Sequence, residues 1–240
     1  MKKFLVVSIA IFSVYCFFVN SDVNKGMRNE FSELKQEVSE EIEKSANEGT
    51  SVGGGDNQRK EFSSEAKEYF TKVAYGSEFG NDGSESRKWE QDISIYVKGQ
   101  KPDYLMSELR SIVSELNGLI STIEINIITD ESEADIVVFF GSAQNYNEYD
   151  DRSIGYTDHN QGLFILSGND NELTYGTMYV DIQRTDSREA QKHLLREELT
   201  QSLGLPNDSY DYPESIFYQG WTETTEYSDI DKEVIQMLYN

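Results

Sequence analysis

The feature that most constrains the fold is the segment REELTQSLGLPND, residues 196–208. Residues four apart share one face of an α-helix, so Glu197 and Gln201 lie on the same polar stripe. Gly204 is suited to end such a helix, and Pro206 prevents it from restarting. The pattern predicts a helix buried by its leucine side, after which the chain can fold back over the polar stripe. The leucines of that side are Leu194, Leu195, Leu199 and Leu203.

The chain around this helix alternates between helical and strand-like patterns. Helices are predicted over Glu61–Ala74, Asp103–Ile120, Ser187–Leu203 and Ser228–Tyr239. Strands are predicted over Asp92–Lys98, Ile123–Thr129, Ala134–Gly141, Gly162–Gly168 and Thr174–Ile182. Capping pairs are predicted at Asp186 with Glu189 and at Ser228 with Asp231. Two loops are predicted between these elements: a tyrosine-rich loop, residues 145–161, and a second loop, residues 206–227. This order of helices and strands predicts an α+β domain in which helices pack against a mixed sheet.

The N-terminal part of the chain predicts export and a spacer. Two lysines precede the apolar run Phe4–Val19, which is shorter than a comfortable membrane span. We expect residues 1–21 to be a signal peptide, with a retained N-terminal anchor as the alternative. Residues 22–60 are predicted to be a polar spacer with a Gly-rich linker, and residues 61–240 the domain. The expected location is extracytoplasmic: periplasmic, secreted or membrane-anchored. Cys16, the only cysteine, lies in the signal, so no disulfide is expected.

The charge of the chain limits the classes of partner that it can bind. There are 44 acidic against 21 basic residues, a formal net charge of -23. Such a surface repels phosphate backbones and anionic headgroups, so we expect no nucleic-acid binding. Membrane contact is expected only through the N-terminal segment, if it is not cleaved.

The spacing of the helix and the loop after it resembles that of metzincin metalloproteases. The zinc-binding sequence of those enzymes is H-E-x-x-H-x-x-G-x-x, followed by a third zinc ligand. Its glutamate is the general base for the metal-bound water. Here the frame is E-E-x-x-Q-x-x-G-x-x-N, at Glu197, Glu198, Gln201, Gly204 and Asn207. The spacing is intact, but the histidines are missing.

Two later segments extend the resemblance to metzincins. Ser215, Ile216 and Phe217 stand where those enzymes carry their methionine turn, with Phe217 at the methionine position. The final helix ends in Met-Leu-Tyr, residues 237–239. The resemblance implies a mixed, mostly parallel sheet, an active-site-type helix, a turn beneath the site and a C-terminal helix.

More narrowly, the chain resembles a bacterial family known as domain of unknown function 2927. The string EELTQSLGLPND at residues 197–208 carries this resemblance, supported by the later SIF and LY. AYGSEF at residues 74–79 and Trp89 match the part before the first strand. The resemblance covers most of residues 62–240 and implies a fold and export rather than an activity.

The polar stripe has three interpretations. Glu197, Gln201, Asn207 and Asp208 could hold a cation, but carboxylate and amide oxygens suit zinc poorly. No cofactor is therefore expected, and zinc or another divalent cation is the alternative. Glu198 could act as a general base, although it needs a Lewis acid to activate water. The favoured interpretation is a polar network that locks the helix to the loop after it.

The histidines and tyrosines add weaker signals. His193 lies one turn before Glu197 and could turn toward the polar stripe, but its neighbours Lys192 and Arg196 favour a solvated start of the helix. His159 lies in a polar loop. Six tyrosines fall in the two loops that would flank a cleft, where they could contact a peptide or polysaccharide. Tyrosine is also simply frequent here, with 15 in the chain. The six are Tyr146, Tyr149, Tyr156, Tyr210, Tyr212 and Tyr218.

The sequence leaves three functions open. The first is an exported metzincin-like pseudo-protease or binding domain without the zinc histidines. The second is a metal-dependent hydrolase, a peptidase with Glu198 as its base and an unconventional cation. The third is a structural surface module held by an uncleaved N-terminal anchor.

Overall fold

The computed structural model describes residues 61–75, 87–169, 172–185 and 187–240. The predicted signal peptide and the spacer lie outside these residues, as does most of the AYGSEF segment. Within the described ranges, no helix combines the length and apolar character needed to cross a membrane.

A five-stranded sheet forms the centre of the fold. Its spatial order is β2-β1-β3-β5-β4, and β4 alone of these strands runs antiparallel to its neighbour. The predicted α+β class with a mixed, mostly parallel sheet is confirmed. The central strand β3 is buried along its whole length, which explains why its sequence is a continuous apolar run. The strands are β1 (Ile93–Gly99), β2 (Ile125–Ile128), β3 (Ile136–Gly141), β4 (Gly162–Asn169) and β5 (Glu172–Asp181).

In the described part of the chain, five α-helices pack around this sheet, and the four predicted from apolar spacing are all present. The extra one, α3 (Ala143–Tyr149), overlaps the start of the segment predicted as a loop, residues 145–161. Ser142 caps it by accepting a hydrogen bond from the Asn145 amide, but Tyr146 is its only buried side chain. A helix this short shows no apolar repeat. The helices are α1 (Ser64–Ala74), α2 (Asp103–Leu119), α3 (Ala143–Tyr149), α4 (Arg188–Gln201) and α5 (Asp229–Tyr239).

The two ends of α4 are fixed by local chemistry. The N-cap is Ser187, whose hydroxyl accepts from the Ala190 amide, rather than the predicted Asp186, which lies outside the described residues. At the other end Gly204 has a φ of +121°, and a Cβ there would lie 2.1 Å from the Arg87 carbonyl oxygen. Glycine is therefore needed both for the left-handed backbone and for the close approach of the two chain segments.

Arg196 joins α4 to α2 through ion pairs with Glu108, whose side chain is 13% exposed, and with the half-exposed Glu115. The Arg196 side chain is 2% exposed and donates to Glu115 at 2.7 Å and to Glu108 at 2.9 Å. The guanidinium also lies over the Tyr227 ring, 4.6 Å from its centroid. The sequence argument took Arg196 as a sign that the helix is solvated near His193, but Arg196 is itself buried because α2 packs across that face.

Candidate functional site

A small pocket, partly open to solvent, lies along the polar stripe of α4. One wall is the start of β4, through Gly162 and the preceding Asn160. The other wall is the turn of residues 218–222, and Asp208 comes from the loop after α4. The helix contributes His193, Leu194, Glu197, Glu198 and Gln201.

Glu198 is the most deeply placed acid in the pocket. Its side chain is 7% exposed and makes no hydrogen bond within the described part of the chain. The carboxyl fits there because residue 162 is a glycine: a Cβ at that position would lie 2.4 Å from Glu198 Oε1. Burial raises the pKa of Glu198 well above its usual value, and the charges of Glu197 and Asp208 raise it further.

His193 links the helix to the segment that covers it. Its Nδ1 donates to the Thr224 carbonyl oxygen at 2.7 Å, and its Nε2 lies 3.3 Å from Glu197 Oε2. Burial disfavours the imidazolium, but the hydrogen bond and charge of Glu197 outweigh it, so the pKa of His193 lies above its ordinary value. The predicted solvated environment of His193 is wrong, because residues 218–224 fold over this face of α4. His159 is exposed, as predicted.

The residues at the predicted zinc-ligand positions do not converge on one centre. Gln201 turns its amide nitrogen toward Asp208 Oδ1, at 2.5 Å. Asn207 is buried elsewhere, donating from Nδ2 to the Val73 carbonyl oxygen at 3.2 Å. In both residues the amide nitrogen makes the hydrogen bond, and Asn207 Oδ1 is buried without a hydrogen-bond partner in the described part of the chain. Because the two amide oxygens are distant neutral donors and no imidazole or thiolate accompanies them, this donor set does not fit a zinc ion. Among the described residues, no group of three or more His, Cys, Asp or Glu is placed to hold a metal ion.

The turn at Ser215–Phe217 is held from below by the C-terminal helix. All three of its residues are fully buried. Asp231 accepts from the Ser215 hydroxyl at 2.5 Å and from the Ile216 amide at 3.0 Å. The same carboxylate accepts from the Ser228 amide and completes the predicted capping box of α5, which is confirmed. The turn leads directly into Tyr218 on the pocket wall.

The six tyrosines singled out from the sequence do not form one surface. Tyr218 lines the pocket and packs edge-to-face on the exposed Tyr210, at 6.1 Å between ring centroids. Tyr146 is fully buried and Tyr149 partly buried, in a separate cluster on the other side of β3 and β5. Tyr156 is exposed, and Tyr212 packs against the main core.

Six residues that line the pocket were not predicted from the sequence: Asn160, Gly162 and residues 219–222. Asn160 and Gly162 precede or begin an edge strand, and Trp221 and Thr222 lie in a loop without periodic pattern. No local signal marks the first pair, because their role comes from the pairing of β4 beside α4. Trp221 carried a usable signal, since a tryptophan in a polar loop is unusual and this one is 47% exposed.

Comparisons with known proteins give one family and distant structural relatives. Two structures of myroilysin share 17% identity with this chain, at TM-scores of 0.38 and 0.39. They cover 63% and 65% of this chain, and 82% and 86% of the myroilysin chains. None of the curated proteins matches the chain in sequence.

Family membership rests on a match over most of the chain. Residues 63–240 match the family model described as "Protein of unknown function (DUF2927)". This range contains α1 to α5, the whole sheet and every residue that lines the pocket. The chain therefore belongs to the DUF2927 family.

Proposed function

We propose that residues 61–240 form an exported, metzincin-like binding domain, a pseudo-protease that works without a zinc centre. The observation that carries the proposal is the hydrogen bond from Gln201 Nε2 to Asp208 Oδ1. It closes the helix onto the following loop at the position where the frame would place a second metal ligand. Gln201 is buried, so this pairing satisfies an amide that would otherwise be costly to remove from water.

The neighbouring contacts support the same interpretation. Asn207, at the position of the third ligand, anchors the loop to the last turn of α1 through both its backbone and side-chain nitrogen. His193 holds Glu197, at the position of the first ligand. Each of the three zinc-ligand positions, Glu197, Gln201 and Asn207, thus has a partner that fixes structure, as expected of a polar network that locks the helix to its loop.

The test is the metal content of the whole chain purified without chelator or nickel affinity. We expect less than about a tenth of an equivalent of zinc, calcium, manganese or magnesium by mass spectrometry, and no thermal stabilisation when these ions are added. A Glu197→Ala, Gln201→Ala double variant serves as the control. Near-stoichiometric metal that this variant loses would contradict the proposal.

That contrary result would support the alternative function, a cation-dependent peptidase with Glu198 as general base. The alternative predicts cleavage of a peptide library by the purified chain and loss of cleavage in Glu198→Ala. Our proposal predicts no difference between the two proteins, because water without a Lewis acid stays near its bulk pKa.

Export is the second part of the proposal and rests on the N-terminal pattern. We expect the protein recovered from cells to begin near residue 22 and to lie outside the cytoplasm. Mass spectrometry of the intact protein checks this. A mass that includes residues 1–21, found in the membrane fraction, would instead favour the tethered surface module.

A further inference from the structure

The buried carboxyl of Glu198 is the starting point, because it faces a pocket without a partner. Most buried carboxylates are paired or hydrogen-bonded, since an isolated one is costly in a medium of low dielectric. Glu198 is 7% exposed and has no hydrogen bond or ion pair in the described part of the chain. Its carboxyl lies against Gly162 and lines the pocket.

The surroundings of Glu198 are acidic. Glu197 and Asp208 also line the pocket, and the described lining residues include no lysine or arginine. His193 contacts Glu197, and Gln201 donates to Asp208. Two of the three acids therefore have a partner inside the protein, and Glu198 is left to meet whatever enters the pocket.

Aromatic rings stand beside these acids. Trp221 and Tyr218 line the same pocket, and Trp221 is 47% exposed. A ring face attracts ammonium and guanidinium groups, most strongly when the ring is tryptophan. Acids and aromatic rings together select an organic cation over a neutral group of the same shape.

We propose that this pocket binds the basic side chain of a peptide, a lysine ammonium or an arginine guanidinium, with Glu198 as its counter-ion and Trp221 and Tyr218 beside it. The proposal rests on the proposed function as a binding domain and gives that domain a ligand class. The formal net charge of -23 further favours the approach of basic peptides.

A bare divalent cation fits the same pocket less well. Calcium and magnesium take six or more oxygen ligands, many of them supplied by carboxylates. Here Gln201 presents a nitrogen to Asp208, and Glu197 is held by His193. An ammonium or guanidinium group needs only one good acceptor and a ring face.

The experiment is a calorimetric titration of the whole chain with blocked tripeptides. Acetyl-Ala-Lys-Ala-amide and acetyl-Ala-Arg-Ala-amide are compared with the same peptides carrying norleucine or citrulline. We expect the basic peptides to bind at least about tenfold more tightly than their neutral partners. An unblocked Ala-norleucine-Ala-amide tests whether a terminal ammonium can replace the side chain.

Variants at Glu198 and Trp221 test whether the preference for basic peptides comes from the pocket. Glu198→Gln is expected to weaken binding of the basic peptides about tenfold. The matched control, Glu214→Gln, removes the same charge from an exposed site outside the pocket lining and is expected to bind as the parent does. Trp221→Ala changes an exposed side chain and should weaken binding by about fivefold, even if Glu198→Gln does not fold.

The outcomes are distinct. Equal binding of basic and neutral peptides by a metal-free chain would overturn the cationic pocket and leave the proposed binding domain intact. Binding only of a peptide with a free terminal ammonium would overturn the side-chain assignment. A chain that carries stoichiometric metal, displaced by no peptide, would overturn both the pocket proposal and the proposed function.

Discussion

Gly162 and Glu198 occupy complementary space: a Cβ at residue 162 would lie 2.4 Å from Oε1 and 3.0 Å from the Cδ of Glu198. The edge strand β4 and the helix α4 can approach this closely only because residue 162 has no side chain. The position of the buried acid is therefore set from a strand that lies more than thirty residues earlier in the chain.

Gly162→Ala should lower the free energy of unfolding by about 1–2 kcal/mol, since the added methyl group displaces the Glu198 carboxyl. The change is measured by denaturant unfolding. In a Glu198→Ala background the same substitution should cost much less, because the clashing atoms are gone. Gly118→Ala is the control: nothing lies within 4 Å of a Cβ there, so it should not destabilise. If Gly162→Ala lowered the free energy of unfolding equally with and without Glu198, the close contact between residue 162 and Glu198 would be contradicted.

Ser215→Ala should destabilise the protein by about 2–3 kcal/mol, because it removes a donor from a buried carboxylate. The Ser215 hydroxyl donates to Asp231, and it lies 2.8 Å from the Tyr69 hydroxyl. Thermal unfolding measures the effect. The control is Ser111→Ala, an exposed serine of α2, for which a change within about 0.5 kcal/mol is expected. Similar midpoints for the two variants would show that the turn does not depend on this contact.

Arg196→Ala should lower the free energy of unfolding by about 2 kcal/mol, because it leaves the largely buried Glu108 carboxylate without its partner and uncovers Tyr227. Arg196→Met should cost less, since its chain still covers the ring. Arg110→Ala, on the exposed side of α2, is the comparison and should change the free energy of unfolding little. If Arg196→Ala behaved like Arg110→Ala, the link between α2 and α4 would be unimportant for stability.

His193 gives the protein a pH-dependent contribution to stability. Its pKa is raised on folding, so the contribution is fully present below the unfolded value of about 6.5 and is lost as pH rises through the folded pKa. The stability lost in His193→Gln should therefore be larger at pH 6 than at pH 9. His159→Gln, at the other histidine, is the control, and because that residue is exposed its loss of stability should stay within about 0.5 kcal/mol. Greater loss at pH 9 for His193→Gln would reverse the sign and contradict the role of Glu197.

Much of the fold could be predicted because apolar spacing reports which side of an element is buried. The leucines of α4 and the continuous apolar run of β3 are direct consequences of packing, and both elements form as predicted. The predicted capping box at Ser228 and Asp231 is present for a similar reason, since it needs only residues three apart. Helix α3 was missed because its hydrogen-bonded turn buries a single side chain.

The site was harder to predict because it depends on which elements pack across each other. The sequence shows that Glu197, Glu198 and Gln201 share a region of one helix. It does not show that Asn207 turns away toward Val73, or that Gly162 faces Glu198. His193 and Arg196 looked solvated by their charged neighbours, yet long-range packing buries both.

The capping box at the start of α5 also sets an order in time. A ribosome adds Asp231 sixteen residues after Ser215, so the turn under the pocket receives its buried acceptor late in synthesis. Tyr239, which donates to the Leu203 carbonyl and accepts from the Trp89 amide, joins later still. A nascent chain that has already made α4 therefore holds its pocket unfinished. The contacts of Asp231 and Tyr239 with the earlier segments can therefore form only after α5 has been made.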